Sequence, residues 1–596
     1  MPQSRFTYGQ IQSAFRKTIH NEHLLLVVLG LGVGCLSGMA VIGLREAIDA
    51  IEIFYFDVTT SMLARYEIVV EPWKLILAPT LGGLVVGLIT WKFMPGGRNQ
   101  GVADVVEASA MRSGHMSSRV GIISAITSII SVGSGASVGR EGPAVHLGAS
   151  LAGFVARRLH LSRSLARTLL GCGVAAAVSA SFNAPIAGAL FATEVVVGQY
   201  ALKTFAPIVV ASVAGTALSH IHFGEVSAFL LGDNHITSFW EFPAFVGLGI
   251  VSAVAAIIMM RSIFIAQDAA AKIPVPVWFK PAIAGCIVGI IAVWLPQVLG
   301  VGYGFVEWAI LGQFEIKLLI AIGLAKVLAT ALCLGFGFSG GVFSPALVLG
   351  AAVGSSYGLI AADVFPELAS GVGVYTVVGM GAVAAAVLGA PISTTLIIFE
   401  ITGDYKLSLA VMLAIVVSTE ITHHFFGGSF FAEMLKRRDI NLKDGFEREV
   451  LDTIKVRHIL DHGTNVAAET IGVETPIDEI RDKLSHSTTG ELFVVQPTGE
   501  LFGTITLHDC GETLFDSECS AHVRAADIAR PHPPVLNEGD NLGVAMRVMR
   551  ESGEDHIAVL RDPHTKVFTG CVHHRDVMTA YNRALLKVRH EEHNVD

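Results

Sequence analysis

A glycine-rich stretch of twelve residues occurs twice in this chain, each time between long apolar runs, and the pair limits the possible folds more than any other feature. The first copy is Gly133-Ser-Gly-Ala-Ser-Val-Gly-Arg-Glu-Gly-Pro-Ala144 and the second is Gly335-Phe-Gly-Phe-Ser-Gly-Gly-Val-Phe-Ser-Pro-Ala346. Gly133, Gly135, Ser137, Gly139, Pro143 and Ala144 recur at a constant offset of 202 residues. A second pair follows in the same order: Ala184-Pro185-Ile186, Leu190 and Glu194 recur as Ala390-Pro391-Ile392, Leu396 and Glu400, at an offset of 206. Paired interruptions in the two halves of an apolar chain point to the binding site of a transporter built from repeats. Coincidental packing glycines are the plain alternative, and two motif pairs in one order weigh against them.

Hydrophobic residues fill 52% of the 596 positions and charged residues 15%, and mean hydropathy is +0.59, the balance of a polytopic membrane protein. Apolar helices are expected at about 23–53, 73–93, 120–132, 163–181, 205–219, 243–266, 278–297, 316–334, 374–388, 391–402 and 407–426, with a short one ending near Ala110. Several are short or interrupted by Gly and Pro. Such helices line cavities, because lipid cannot satisfy the freed backbone groups. Residues 1–22 carry Arg5, Arg16 and Lys17 beside Phe6, Tyr8 and Phe15, and read as a cytoplasmic amphipathic helix with no cleavable signal peptide. A formal net charge of −10 offers no basic footprint and argues against nucleic acid as a partner. The seven cysteines show neither zinc spacing nor a disulfide framework and are expected as reduced thiols.

The first glycine-rich stretch holds Arg140 and Glu141 between apolar runs. A charge at membrane depth is costly and marks a functional candidate. Pro143 suits the first position of a helix running to about Val155. The backbone N–H groups there would lie at the positive end of the helix dipole and offer an anion site. Ionised, the Glu141 carboxylate can fill that position; protonated, it loses the attraction and can swing away, which couples proton occupancy to anion passage. A static ion pair with Arg140 is the plainer alternative; otherwise Arg140 holds positive potential at the outer mouth. Lys326 is a second intramembrane charge, expected to pair structurally or to snorkel. His146 is expected as a polar packing residue beside the pathway.

Beyond Arg438 the apolar runs stop. Glu491–Val495, Gly503–Thr506, His556–Leu560 and Val567–Val572 read as strands, with a helix at Asn541–Glu551. The pattern predicts a soluble α/β module of two similar halves.

On these residues the span 23–438 resembles the CLC family of chloride channels and proton–chloride exchangers. Its markers are Gly139-Arg-Glu-Gly-Pro143, Asn183-Ala-Pro185, and Gly341-Val-Phe-Ser-Pro345 after Gly335-Phe-Gly-Phe-Ser-Gly340. The resemblance implies an all-α polytopic membrane domain of two inverted-topology repeats with broken helices. It implies a homodimer with one pore per subunit, and Glu141 as the gate. It places backbone amides of Arg140 and Gly142 at an outer anion position and those of Val342 and Phe343 at a central one. Amides are neutral donors that bind an anion weakly enough to release it. Three positions depart from the family pattern. The serine of Gly-Ser-Gly-x-Pro is replaced by Gln100, in Asn99-Gln100-Gly101-Val102-Ala103, and the amide is a longer donor. The tyrosine of the last membrane helix aligns with Phe431, or in competition Phe430, neither of which has a hydroxyl. The inner glutamate of proton-coupled members, just after the residue matching Glu194, is Val195. Glu194 and its repeat partner Glu400 are expected to be structural.

Residues 439–596 resemble a pair of CBS domains, at about 450–515 and 524–585. Gly503-x-x-Thr506-x-x-Asp509 and Gly570-x-x-His573-x-x-Asp576 fit the ribose-binding ends of such domains. Thr506, Asp509, His573 and Asp576 are therefore candidates for an adenine nucleotide such as ATP or AMP, with a purely structural dimerisation module as the alternative. The whole is expected to be a multi-pass protein of the lipid bilayer, with both termini and the CBS domains cytoplasmic. It is expected to carry chloride passively through a route gated by Glu141, with no required cofactor. Proton-coupled chloride antiport is the alternative; a nucleotide-sensing signalling protein with a degenerate transporter domain is a more distant one. With no catalytic triad, Walker loop or metal-ligand cluster in the sequence, an enzyme is not expected.

Overall fold

The computed structural model describes residues 22–64, 70–112, 114–198, 202–224, 236, 238–440, 451, 454–462, 468–487, 490–506, 523–562 and 565–593. The chain divides into two compact units, Met1–Asn441 and Leu442–Asp596. The amphipathic helix expected over residues 1–22 lies outside the described residues, apart from Glu22.

Among its described residues, the regular elements of the first unit are helices. Its helices are α1 (Glu22–Phe56), α2 (Pro72–Phe93), α3 (Val102–Met111), α4 (Ser118–Gly133), α5 (Glu141–Arg158), α6 (Arg163–Phe182) and α7 (Pro185–Phe191). They continue with α8 (Leu202–Phe223), α9 (Phe242–Lys272), α10 (Lys280–Trp294), α11 (Tyr303–Ile310), α12 (Ile316–Phe336) and α13 (Phe343–Val364). The last four are α14 (Val372–Leu388), α15 (Pro391–Thr402), α16 (Tyr405–Phe426) and α17 (Phe430–Lys436). Among the described residues, nine helices are long and apolar enough to cross a membrane. Large apolar side chains such as Leu24, Val28, Trp73, Trp91, Val254 and Ile258 stand on the outside of the unit, which suits lipid rather than water. One of the nine, α6, lies inside the unit and is almost wholly buried.

The repeat has a structural counterpart. Each glycine-rich stretch opens a helix, α5 and α13, and the two openings meet. The Gly139 N–H donates to the Gly341 carbonyl at 2.8 Å, and the Gly341 N–H donates to the Gly139 carbonyl at 2.7 Å, forming an antiparallel bridge. The second motif pair is equally reciprocal. The Glu194 carboxylate accepts from the N–H groups of Ile392 (3.0 Å) and Ser393 (2.8 Å) at the start of α15. The Glu400 carboxylate accepts from Ile186 (2.9 Å) and Ala187 (2.8 Å) at the start of α7. Each carboxylate satisfies two of the donors that every helix start leaves unpaired, on the opposite repeat. These exchanges tie the two repeats together.

Two local expectations change. The helix after the first stretch begins at Glu141, with Arg140 as its cap, so Pro143 is its third residue rather than its first. The whole first turn lacks N–H acceptors within the helix, so proline is tolerated there too. Helix α11 was not anticipated: eight residues are too few to show a helical period.

The second unit holds two α/β halves. Helix α18 (Val456–His462) packs into the core of the second half, whereas the first half contains β1 (Thr470–Gly472), α19 (Ile477–His486), β2 (Glu491–Val495), β3 (Leu501–Thr506), α20 (Ala525–Ile528) and β4 (Arg530–Pro531). The second contains β5 (Val535–Asn537), α21 (Leu542–Ser552), β6 (His556–Leu560), β7 (Phe568–His573) and α22 (His574–His593). The sheet orders are β1-β2-β3-β4 and β5-β6-β7, each starting with a parallel pair and continuing antiparallel. Separate apolar cores form around Ile480, Leu492 and Ile505 and around Leu542, Ile557 and Val572. Asn541 caps α21 by accepting from the Val544 N–H.

Candidate functional site

A cavity of about 360 Å³ reaches the place where α5 and α13 begin. Gln100, Gly101, Glu141, Gly142, Val342, Phe343 and Phe431 line it, with Asp104, Phe430 and Arg438 among the rest. Seven of the eight gating and anion-site candidates are thus brought together from four separate parts of the chain. Arg140 caps α5, but its side chain lies in a small hollow with Arg45 and Phe223, its guanidinium 5.3 Å from the centre of the Tyr303 ring.

Glycine makes the meeting of the helix starts possible. A Cβ on Gly341 would stand 2.9 Å from the Gly142 nitrogen, and one on Gly139 would stand 2.7 Å from a Glu141 carboxylate oxygen. Glu141 is the first residue of α5 and is 4% exposed. Its carboxylate turns to the start of the other broken helix. Tyr303, the first residue of α11, donates its hydroxyl to Glu141 Oε1 at 2.7 Å. Ser344, the second residue of α13, donates its hydroxyl to Glu141 Oε2. The carboxylate therefore rests on two hydroxyls beside the N-terminal end of a 22-residue helix, where negative charge is favoured. There is no ion pair with Arg140 in this arrangement; the acceptor atoms face Tyr303 and Ser344.

Tyr303 and Ser344 were not identified from sequence. Ser344 was visible inside the second glycine-rich stretch, but its repeat counterpart is Gly142, which has no side chain to suggest a role. Tyr303 sits on the helix that sequence pattern missed. Its position is set by Lys326, which is 1% exposed and donates to the carbonyls of Val298 (3.0 Å) and Gly300 (2.9 Å) in the turn leading to α11. Lys326 is thus structurally paired and does not snorkel. Gly302, with φ +87°, closes that turn.

Gln100 is held on both sides. Its backbone carbonyl accepts from Ser124 Oγ at 3.1 Å, and its side-chain Oε1 lies 3.2 Å from His146 Nε2. His146 is fully buried and its Nδ1 has no partner. An unpaired buried N–H is costlier and rarer than an unpaired acceptor, which assigns the ring proton to Nε2. The Gln100 amide oxygen is then occupied by His146, and its NH2 is the end free to serve the cavity. Phe430 is 3% exposed and stacks on Phe264 with centroids 5.2 Å apart, whereas Phe431 is half-buried. In the first turn of α3, Asp104 takes Arg98 at 2.7 Å and Arg438 at 3.0 Å.

A family model described as voltage gated chloride channel matches residues 82–423, more than half of the chain. The chain belongs to that family. A putative chloride channel protein ClcB-like of Ralstonia nicotianae is 34% identical over 427 residues, covering 70% of this chain and 98% of that one. The voltage-gated ClC-type chloride channel ClcB of Salmonella typhimurium is 30% identical over 409 residues, covering 67% and 96%. Among solved structures, that of a slow cyanobacterial Cl−/H+ antiporter matches with a TM-score of 0.62 at 23% identity, over 69% of this chain and 97% of that one. A eukaryotic CLC transporter matches with a TM-score of 0.58 at 18% identity, over 93% and 98%. A second family model, CBS domain, matches residues 525–583.

Within this CLC chain, Val195 lies on a π-helical segment, Ala192–Val197, that continues α7 and is half-buried. In the CBS unit, Thr506 ends β3 opposite Glu491, and His573 ends β7 opposite His556. The two seams meet: His556 Nδ1 is 4.0 Å from Glu491 Oε2, and the His556 and His573 rings lie 4.4 Å apart, edge to face. Asp576 is in the first turn of α22, three residues beyond His573. Asp509 lies outside the described residues. Burial, and then the neighbouring His573, hold the His556 pKa below its ordinary value.

Proposed function

We propose that this chain carries chloride across the bilayer through the cavity, by a passive, channel-like route that Glu141 opens and closes. The observation that carries the reading is the Glu141 carboxylate at the start of α13, bonded to Tyr303 and Ser344 at the head of the cavity. There it fills the place an anion would take. Protonation removes its charge and weakens the hold, and the vacated position then passes the anion. The amides of Arg140 and Gly142 serve the outer end and those of Val342 and Phe343 the centre; neutral donors bind without trapping. Gln100 and Gly101 complete the wall opposite Phe431. The channel-like preference rests on Val195, an apolar residue where proton-coupled relatives carry a glutamate.

Proton–chloride exchange is the second reading, and one observation favours it. Asp104 lines the same cavity as Glu141, so a second carboxylate, held by Arg98 and Arg438, borders the path without Val195. Simultaneous chloride and proton flux in liposomes under a chloride gradient separates the two. Chloride flux with no coupled proton movement supports the channel; proton movement driven uphill by chloride and abolished in Glu141→Ala establishes exchange. Flux and pH response unchanged in Glu141→Gln would remove the gate from either scheme.

The membrane domain is assigned to 23–438 and the CBS pair to 439–596, with about 450–515 and 524–585 as its halves. Both termini are assigned to the cytoplasm, and the protein to a homodimer with one pore per subunit. Thr506, Asp509, His573 and Asp576 are assigned to an adenine nucleotide. Calorimetric titration of ATP and AMP into the purified protein tests this, with Asp576→Ala expected to weaken binding.

A further inference from the structure

The two hydroxyls expected at the centre of the pathway are missing, since Gln100 and Phe431 stand in their places. The chain supplies two others, one step further along. Tyr303 and Ser344 both point at one carboxylate, and their oxygens are 3.5 Å apart, close enough for a single acceptor to bridge them. We propose that Tyr303 and Ser344 form a two-hydroxyl anion position, filled by the Glu141 carboxylate when the route is shut and by a chloride ion when it is open. The inference rests on the gating role of Glu141.

Neither hydroxyl moves with the gate. Tyr303 opens α11 and Ser344 lies in the first turn of α13, whereas Glu141 is on α5. Tyr303 is fixed independently, by the Lys326 bonds to the preceding turn and by the Arg140 guanidinium over its ring. Ser344 is fully buried. When the carboxylate swings out, the partly buried Tyr303 hydroxyl and the fully buried Ser344 hydroxyl both lose a bond to a charged acceptor, the strongest kind of hydrogen bond each makes there. A small spherical anion restores both bonds at once and adds the favourable end of α13. The pair of donors therefore sets both how firmly the gate closes and how well chloride binds after it opens, which amides alone would do less selectively.

The test is chloride flux from liposomes holding the purified full-length protein, with Tyr303→Phe, Ser344→Ala and the double variant, each made with Glu141 present and in Glu141→Ala. With Glu141 present, losing either hydroxyl weakens closure, and flux at neutral pH rises by roughly tenfold, the worth of one hydrogen bond to a charged group. In Glu141→Ala, the double variant raises the half-saturating chloride concentration by roughly tenfold or more while maximal flux is kept. A merely structural role would lower maximal flux and leave half-saturation in place, and that result overturns the proposal. So does a response to Glu141→Ala with none to the hydroxyl variants. If Glu141→Ala itself leaves flux unchanged, the gating reading fails first and this inference falls with it.

Discussion

Replacing Glu194 or Glu400 by alanine takes away one half of a reciprocal cap. Glu194 accepts two backbone N–H bonds, at 3.0 and 2.8 Å, from the start of α15; Glu400 accepts two, at 2.9 and 2.8 Å, from the start of α7. A hydrogen bond to a charged group contributes about 1.5–3 kcal/mol, so two lost bonds set an upper range of about 3–6 kcal/mol per variant. The donors are not sealed, however: Ile186 is 53% exposed and Ile392 50%. Other partners can reach them, which brings the expected cost down to about 2 kcal/mol, the high end for loss of a helix cap. Glutamine keeps one acceptor and should cost about half as much. The assay is thermal unfolding of the purified full chain in detergent. Because the two sites mirror each other, the alanine variants should agree within about 1 kcal/mol. Their sum should not be additive, since α7 and α15 pack together. A cost below about 0.5 kcal/mol for either would refute the cap. So would loss of chloride flux in Glu194→Ala with stability intact, which would instead make Glu194 a pathway group.

Lys326→Met removes the donor shared by the Val298 and Gly300 carbonyls; melting should show a loss of about 3 kcal/mol, and neutral-pH flux should rise as the Tyr303 turn loosens. His146→Leu frees the Gln100 amide to rotate; the half-saturating chloride concentration should rise about threefold in flux measurements with little change in melting. Burial, and then His573, hold the His556 pKa in the folded CBS unit below the ordinary value of 6.5 that the unfolded chain keeps. The unfolded state therefore binds more protons below that pH, and stability falls on acidification. Unfolding of the second unit, followed from pH 7.5 to about 5.5, should show this loss, and His556→Gln should flatten it.

The apolar runs located most of the membrane helices, because spans of twenty residues in lipid leave an unmistakable pattern. The repeated glycine stretches located both helix starts, because only a residue without a side chain lets Gly139, Gly142 and Gly341 approach so closely. What pattern could not reach was short or non-local. Helix α11 has eight residues and no period to read. The bond from Tyr303 to Glu141 joins residues 162 positions apart, and no spacing rule anticipates a contact of that separation. Likewise, Glu194 and Glu400 were recognisable as counterparts, but only the fold reveals that each caps the other's repeat.

The departures from the family pattern take on a different meaning with the site assembled. Read singly, Gln100 and Phe431 subtract two hydroxyls from an anion path and weaken it. In the fold, Gln100 presents an amide oriented by His146, and Tyr303 with Ser344 places two hydroxyls on the Glu141 carboxylate. On the gating proposed above, donors have been moved rather than lost, to a position that Glu141 must vacate. Under that arrangement the carboxylate and the anion compete for the same two bonds. Strengthening the donors would then tighten closure and anion binding together, so neither can be tuned without the other.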